Sequence, residues 1–98
     1  MANDQVKALS SEATRLYNRV RRQWAIRDEP GLTILLTGMQ ALDRLRQAQA
    51  TLAAQGIIRP DRFGQDKPHP AMQVEKEARA GLLLALKALA LDLETLDK

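Results

Sequence analysis

The sequence predicts a mainly all-α domain: three helices, with a short β-hairpin or extended loop between the second and the third. Three observations carry this expectation. Aromatics make up only 3% of the 98 residues, as Tyr17, Trp24 and Phe63, so leucine and alanine must supply most of the burial, which suits helices better than sheets. Apolar residues recur at helical spacing in three blocks. The stretch from Gly56 to Ala71 holds Gly56, Pro60, Gly64, Pro68 and Pro70, and proline lacks an amide donor and disfavours the helical region in the residue before it. That stretch separates two helical halves.

One domain spanning 1–98 is expected, with a thin core. A chain of 10.9 kDa buries roughly two thirds of its unfolded surface, and association with further copies would supplement it. Residues 1–9 show no sustained periodicity and are expected to be flexible. The first helix, about 10–27, starts at Ser10 or Ser11, whose hydroxyl can accept from an orphan amide, with Glu12 near the positive end of the helix dipole. Ala13, Leu16, Tyr17, Val20 and Trp24 share one face. Tyr17 and Trp24 read as core residues, with stacking on a base as the alternative.

A short connection through Asp28 and Glu29 to Pro30 makes a helical hairpin, because acids and proline both suit a helix start. The second helix, about 30–55, carries Leu32, Leu35, Leu36, Met39, Leu42, Leu45 and Leu52 on a drifting stripe. Its length approaches roughly 40 Å, so its far end is expected to project or to meet another subunit. Gly38 within it implies close approach of a neighbouring backbone, and Gly56 supplies a left-handed residue at its end. Residues 56–69 form the hairpin excursion, with Ile57 and Ile58 as a β-compatible pair, a turn at Phe63 and Gly64, and Phe63 as the anchor onto the helices.

The third helix, about 70–91, follows a cap at His69. Ala71, Val74, Ala78, Leu82, Ala85, Leu86 and Leu89 form its main buried face, and Glu75 and Arg79 are spaced for an ion pair. Leu83, Leu84 and Leu91 point away from that face. A helix apolar nearly all round is buried on more than one side, so these three, with Leu45 and Leu52, are the expected oligomer interface.

Nothing in the chain looks catalytic. Absence of cysteine removes disulfides, thiolate zinc sites and cysteine nucleophiles. The lone His69 has no metal partner, and Glu75 and Glu77, two residues apart, point to different sides of a helix. No Walker-type glycine loop occurs. Neither a metal nor a cofactor is expected. The N-terminus lacks a secretory pattern and no apolar window reaches the roughly 20 residues that span a bilayer, so the chain reads as soluble and cytoplasmic, without a membrane partner.

The formal charge of +3 is unevenly placed. Residues 1–27 carry Lys7, Arg15, Arg19, Arg21, Arg22 and Arg27 against Asp4 and Glu12, a surplus that makes a polyanion a reasonable partner. Arg15, Arg19 and Arg22 stack on one helix face, either as a solvated surface or as a phosphate-contacting one, for which the planar guanidinium fork is suited. On the excursion, Arg59, Arg62 and Lys67 are balanced by Asp61 and Asp66, so solvation or local pairing competes with contact to DNA or a protein. The candidate DNA-binding set is Arg15, Arg19, Arg21, Arg22, Arg59, Arg62 and Lys67.

Leu9-Ser10, Leu16-Tyr17, Asp28 with Gly31-Leu32, Ala41-Leu42-Asp43-Arg44, Asp61-Arg62-Phe63-Gly64-Gln65, Lys67, His69-Pro70-Ala71, Glu75 and Leu86-Lys87-Ala88-Leu89 follow one another in an order that closely resembles the phage terminase small-subunit family, over about residues 9–93. The Arg62–Gln65 block followed by His69–Ala71 is its more specific part. The resemblance implies a non-enzymatic DNA-packaging subunit in the host cytoplasm. Such a subunit binds double-stranded viral DNA, assembles as a homo-oligomer, commonly a ring, and regulates the large terminase subunit that carries the ATPase and nuclease. It also implies that the two motif blocks shape the subunit. A leucine-glycine-leucine often closing the family's last helix stands here as Leu89-Ala90-Leu91. No compact helix-turn-helix pattern is present, since the first two helices join as a long hairpin. The competing reading is a helical protein-protein interaction scaffold that binds no DNA.

Overall fold

The computed structural model describes residues 2–89. Its order is α1 (Ala2–Lys7), α2 (Ser11–Gln23), α3 (Glu29–Gln55), β1 (Ile58–Pro60), β2 (Asp66–Pro68) and α4 (Pro70–Ala88). The three expected helices are α2, α3 and α4, and the hairpin lies where the glycines and prolines placed it. Leu91 and the other residues beyond Leu89 lie outside the described range.

The short α1 was not expected. Six residues are too few to show a period, yet Asp4 sits in its first turn and Lys7 in its last, matching the helix dipole. Val6 and Leu9 pack against the core, which gives this segment its footing.

Helix α2 begins as anticipated: Ser10 Oγ accepts from the Ala13 amide at 3.1 Å. It ends at Gln23, four residues before the expected Arg27. Ala25 adopts φ 50, the Ile26 amide donates to the Arg21 carbonyl at 2.9 Å, and the Ala25 amide donates to the Arg22 carbonyl at 3.2 Å. This Schellman pairing stops the helix without the glycine that usually marks such an end. Asp28 then caps α3, its carboxylate accepting from the Gly31 amide at 2.8 Å.

Helix α3, 27 residues long, is the axis of the fold. Ala13, Tyr17 and Val20 of α2 meet Leu35, Leu36, Met39 and Leu42 in the core, with Leu82 of α4 and its C-cap residue Leu89 packed against them. Helix α4 runs antiparallel to α3, with small residues letting the backbones approach. A β-carbon on Gly38 would lie 2.9 Å from Ala85 Cβ, and one on Gly81 would lie 3.7 Å from Ala41 Cβ. The close approach expected at Gly38 is therefore met by α4.

Gly56 ends α3 with φ 81 and ψ 166; φ is positive as expected, but ψ is extended, so the chain leaves directly into a strand. In the hairpin Ile58 pairs with Pro68, Arg59 with Lys67 and Pro60 with Asp66. The base is closed by the His69 amide donating to the Ile57 carbonyl at 2.8 Å. His69, 6% exposed, caps α4 as anticipated: Nδ1 accepts from the Ala71 amide at 2.9 Å, and Nε2 lies 2.7 Å from Gln55 Oε1. Accepting at Nδ1 leaves the proton on Nε2, which donates to Gln55.

Two packing expectations are corrected. Phe63 is 74% exposed, because the hairpin is held at its base by His69 and its tip stands off the helices. Val74 is 44% exposed: the start of α2 is tied to Asp43 and Arg46 of α3, so α2 does not reach along α3 to the first turns of α4. The expected ion pair between Glu75 and Arg79 is present at 2.6 Å.

Candidate nucleic-acid interface

Two basic groups stand on the surface, and different elements position them. On α2, Arg15, Arg19, Arg21 and Arg22 are all exposed, because the opposite face is committed to Ala13, Tyr17 and Val20. Arg15 Nε donates to the Ser11 carbonyl at 3.4 Å and Arg22 Nε to the Asn18 carbonyl at 3.2 Å. Arg21 Nη2 donates to Asn18 Oδ1 at 3.3 Å. Each of these contacts uses one donor of a guanidinium that has five, leaving most of the fork directed outward.

Glu12, three positions before Arg15, is engaged by another helix. Arg46 of α3 holds its two oxygens in a bidentate pair, Nε to Oε1 and Nη2 to Oε2, both at 3.0 Å. The hydrogen bond that Arg46 donates to Glu12 raises its pKa above the ordinary value, against a smaller opposing effect of burial. Both side chains are about half exposed, so the bridge contributes little stability. Its consequence is positional: the Glu12 carboxylate faces Arg46 of α3.

The second group is the hairpin. Asp61 builds the tip, with Oδ1 accepting from the Phe63 amide at 2.8 Å and from the Gln65 amide at 2.9 Å. The Gly64 amide donates to the Asp61 carbonyl at 3.0 Å, and Gly64 takes φ 77. This is a three-residue hairpin loop with glycine at the left-handed position, which accounts for the spacing of Asp61 and Gly64. It leaves Arg62 over the Phe63 ring, 4.8 Å from its centroid, a cation–π contact at an exposed site. Arg59 and Lys67 are directly opposite each other in the ladder and both are exposed.

No family model, curated protein or solved structure matches this chain.

The two groups do not converge within one copy of the chain. Ser10 donates to Asp43 through its amide at 2.9 Å and Glu12 meets Arg46, so α2 runs antiparallel to α3 and Arg21 and Arg22 lie near the start of α3. The hairpin follows the other end of a helix roughly 40 Å long. Arg27, part of the N-terminal charge surplus but not of the candidate DNA-binding set, is exposed in the connection after α2 and enlarges the first group. The local excess of basic residues was the signal for it.

Among the expected oligomer positions, Leu83 and Leu84 are 49% and 66% exposed, and Leu52 is half-buried. Leu45 is corrected: at 5% exposure it lies inside the protomer, on the same side of α3 as Ala41 and Ala48, and has no surface to offer a partner. Among the described residues no three His, Cys, Asp or Glu side chains are grouped as a metal site would require, and no helix is long and apolar enough to cross a membrane.

Proposed function

We propose that this chain is a non-enzymatic DNA-packaging adaptor of the phage terminase small-subunit kind, which associates with further copies, holds double-stranded viral DNA through basic surface residues and regulates a large terminase subunit. The observation that carries the DNA half is the exposed row of Arg15, Arg19, Arg21 and Arg22 on α2, with Glu12 of the same helix held by Arg46 of α3. The contacts are to phosphates, so binding is weakly sequence-selective and salt-sensitive. The resemblance of the Arg62–Gln65 and His69–Ala71 blocks supplies the packaging role.

Fluorescence anisotropy against random duplex tests this reading. The full chain is expected to bind at low salt, with affinity falling linearly in log–log form. Replacing Arg15, Arg19 and Arg22 together by alanine is expected to flatten that slope by up to about 3, at roughly 0.9 per phosphate contact. An unchanged slope overturns the assignment of the α2 face. Stimulation or inhibition of a large-subunit ATPase by added chain tests the regulatory half.

The exposed Ile57, Ile58, Leu83 and Leu84 favour the second reading, a helical interaction scaffold. It predicts no binding to duplex even at low salt.

A further inference from the structure

The outer face of α4 carries a heptad seam. Glu77, Ala80, Leu84 and Lys87 are spaced by three, four and three residues, the pattern of alternating seam positions in a coiled coil, and all four are exposed. They lie opposite Ala78, Ala85 and Leu86, which face the chain's own core. The seam is apolar at its centre, where Leu84 is 66% exposed, acidic at one end and basic at the other. Gln73 Nε2 donates to Glu77 Oε1 at 2.8 Å, which holds the carboxylate along the seam.

We propose that α4 pairs with α4 of a second copy, antiparallel about a two-fold axis at the level of residue 82. Charge complementarity selects that occupant and its direction. In the antiparallel register Glu77 faces Lys87 of the other copy at both ends, and Ala80 faces Leu84 twice, small against large. A parallel pair would set Glu77 against Glu77 and Lys87 against Lys87, which like-charge repulsion disfavours. A two-fold pair is self-complementary by construction, and Leu83, 49% exposed, flanks the seam. Such a short seam buries less than a standard interface, so a reversible, concentration-dependent dimer is expected. This proposal rests on the associating half of the function above and not on DNA contact.

Sedimentation of the full chain without DNA tests it. Wild-type protein is expected to pass from monomer to dimer with concentration. Glu77→Lys and Lys87→Glu are each expected to weaken association at least about tenfold, because each puts like charges at both ends. The double variant Glu77→Lys with Lys87→Glu is expected to restore it. Since the chain has no cysteine, mixing an Ala80→Cys protein with a Leu84→Cys protein reads the direction: oxidation is expected to favour the mixed disulfide over either homodimer. A wild type that stays monomeric, a dimer indifferent to the charge swaps, or cross-linking dominated by homodimers overturns the proposal. Duplex binding is measured separately, so loss of the DNA reading and loss of this pairing are told apart.

Discussion

Gly38 of α3 stands against Ala85 of α4 so closely that a β-carbon added to the glycine would lie 2.9 Å from the alanine's. Neither group is the far end of a flexible side chain, so the helices themselves must separate to admit it. Gly38→Ala gains about 1 kcal/mol of helix propensity but incurs overpacking of roughly 1–3 kcal/mol. Net destabilisation is expected in urea unfolding. Adding Ala85→Gly should recover part of it, leaving the double variant more stable than the sum of the single changes would give.

Gly81 gives the opposite sign at the same interface. Its added β-carbon would sit 3.7 Å from Ala41 Cβ, an ordinary van der Waals contact. Gly81→Ala is therefore expected to stabilise by about 1 kcal/mol, raising Tm by roughly 4–8 °C in a domain of this size. A lower Tm would show that the two helices are packed more tightly here than the distance implies.

His69 joins the end of α3 to the start of α4 through both ring nitrogens. His69→Ala removes the cap and the bond to Gln55 together, and is expected to cost about 1–2 kcal/mol by chemical denaturation. His69→Asn retains a capping oxygen and should lose less. Equal losses from the two variants would show that the Gln55 contact, not the cap, carries the contribution.

Ala25 holds φ 50 at the position where helices usually place glycine. A left-handed alanine costs roughly 1–2 kcal/mol, while glycine adds some freedom to the unfolded chain. Ala25→Gly is expected to leave a net gain of about 0.5–1 kcal/mol, measured as a higher unfolding midpoint with an unchanged denaturant slope.

Local chemistry made much of this fold legible. The hydroxyl of Ser10, the glycine at 56, the Asp61 and Gly64 spacing and the histidine before Pro70 each act within a few residues, and each lies where the sequence put it. What was hidden depends on distant partners or on the absence of a marker. Ala25 ends α2 without a glycine. Helix α1 forms because Val6 and Leu9 find the core, and Leu45 reads as a surplus leucine until α4 folds along α3. The basic residues were legible by type, but not the distance along α3 between those of α2 and those of the hairpin, nor the engagement of Glu12 by an arginine thirty-four positions away.

The hairpin separates a structural role from a binding role most cleanly. Arg59 and Lys67 face each other across the ladder, and like charges directly opposite cost roughly 0.2–1 kcal/mol. Lys67→Glu turns that repulsion into attraction, so the hairpin should become more stable, visible as slower amide exchange at Arg59 and Lys67. If the hairpin contacts phosphates, the same change must weaken duplex binding and lower the salt slope, because a cation becomes an anion at the interface. Stability and affinity are thus expected to move in opposite directions. Should affinity hold while the hairpin stiffens, the basic pair belongs to solvent and the DNA surface reduces to α2.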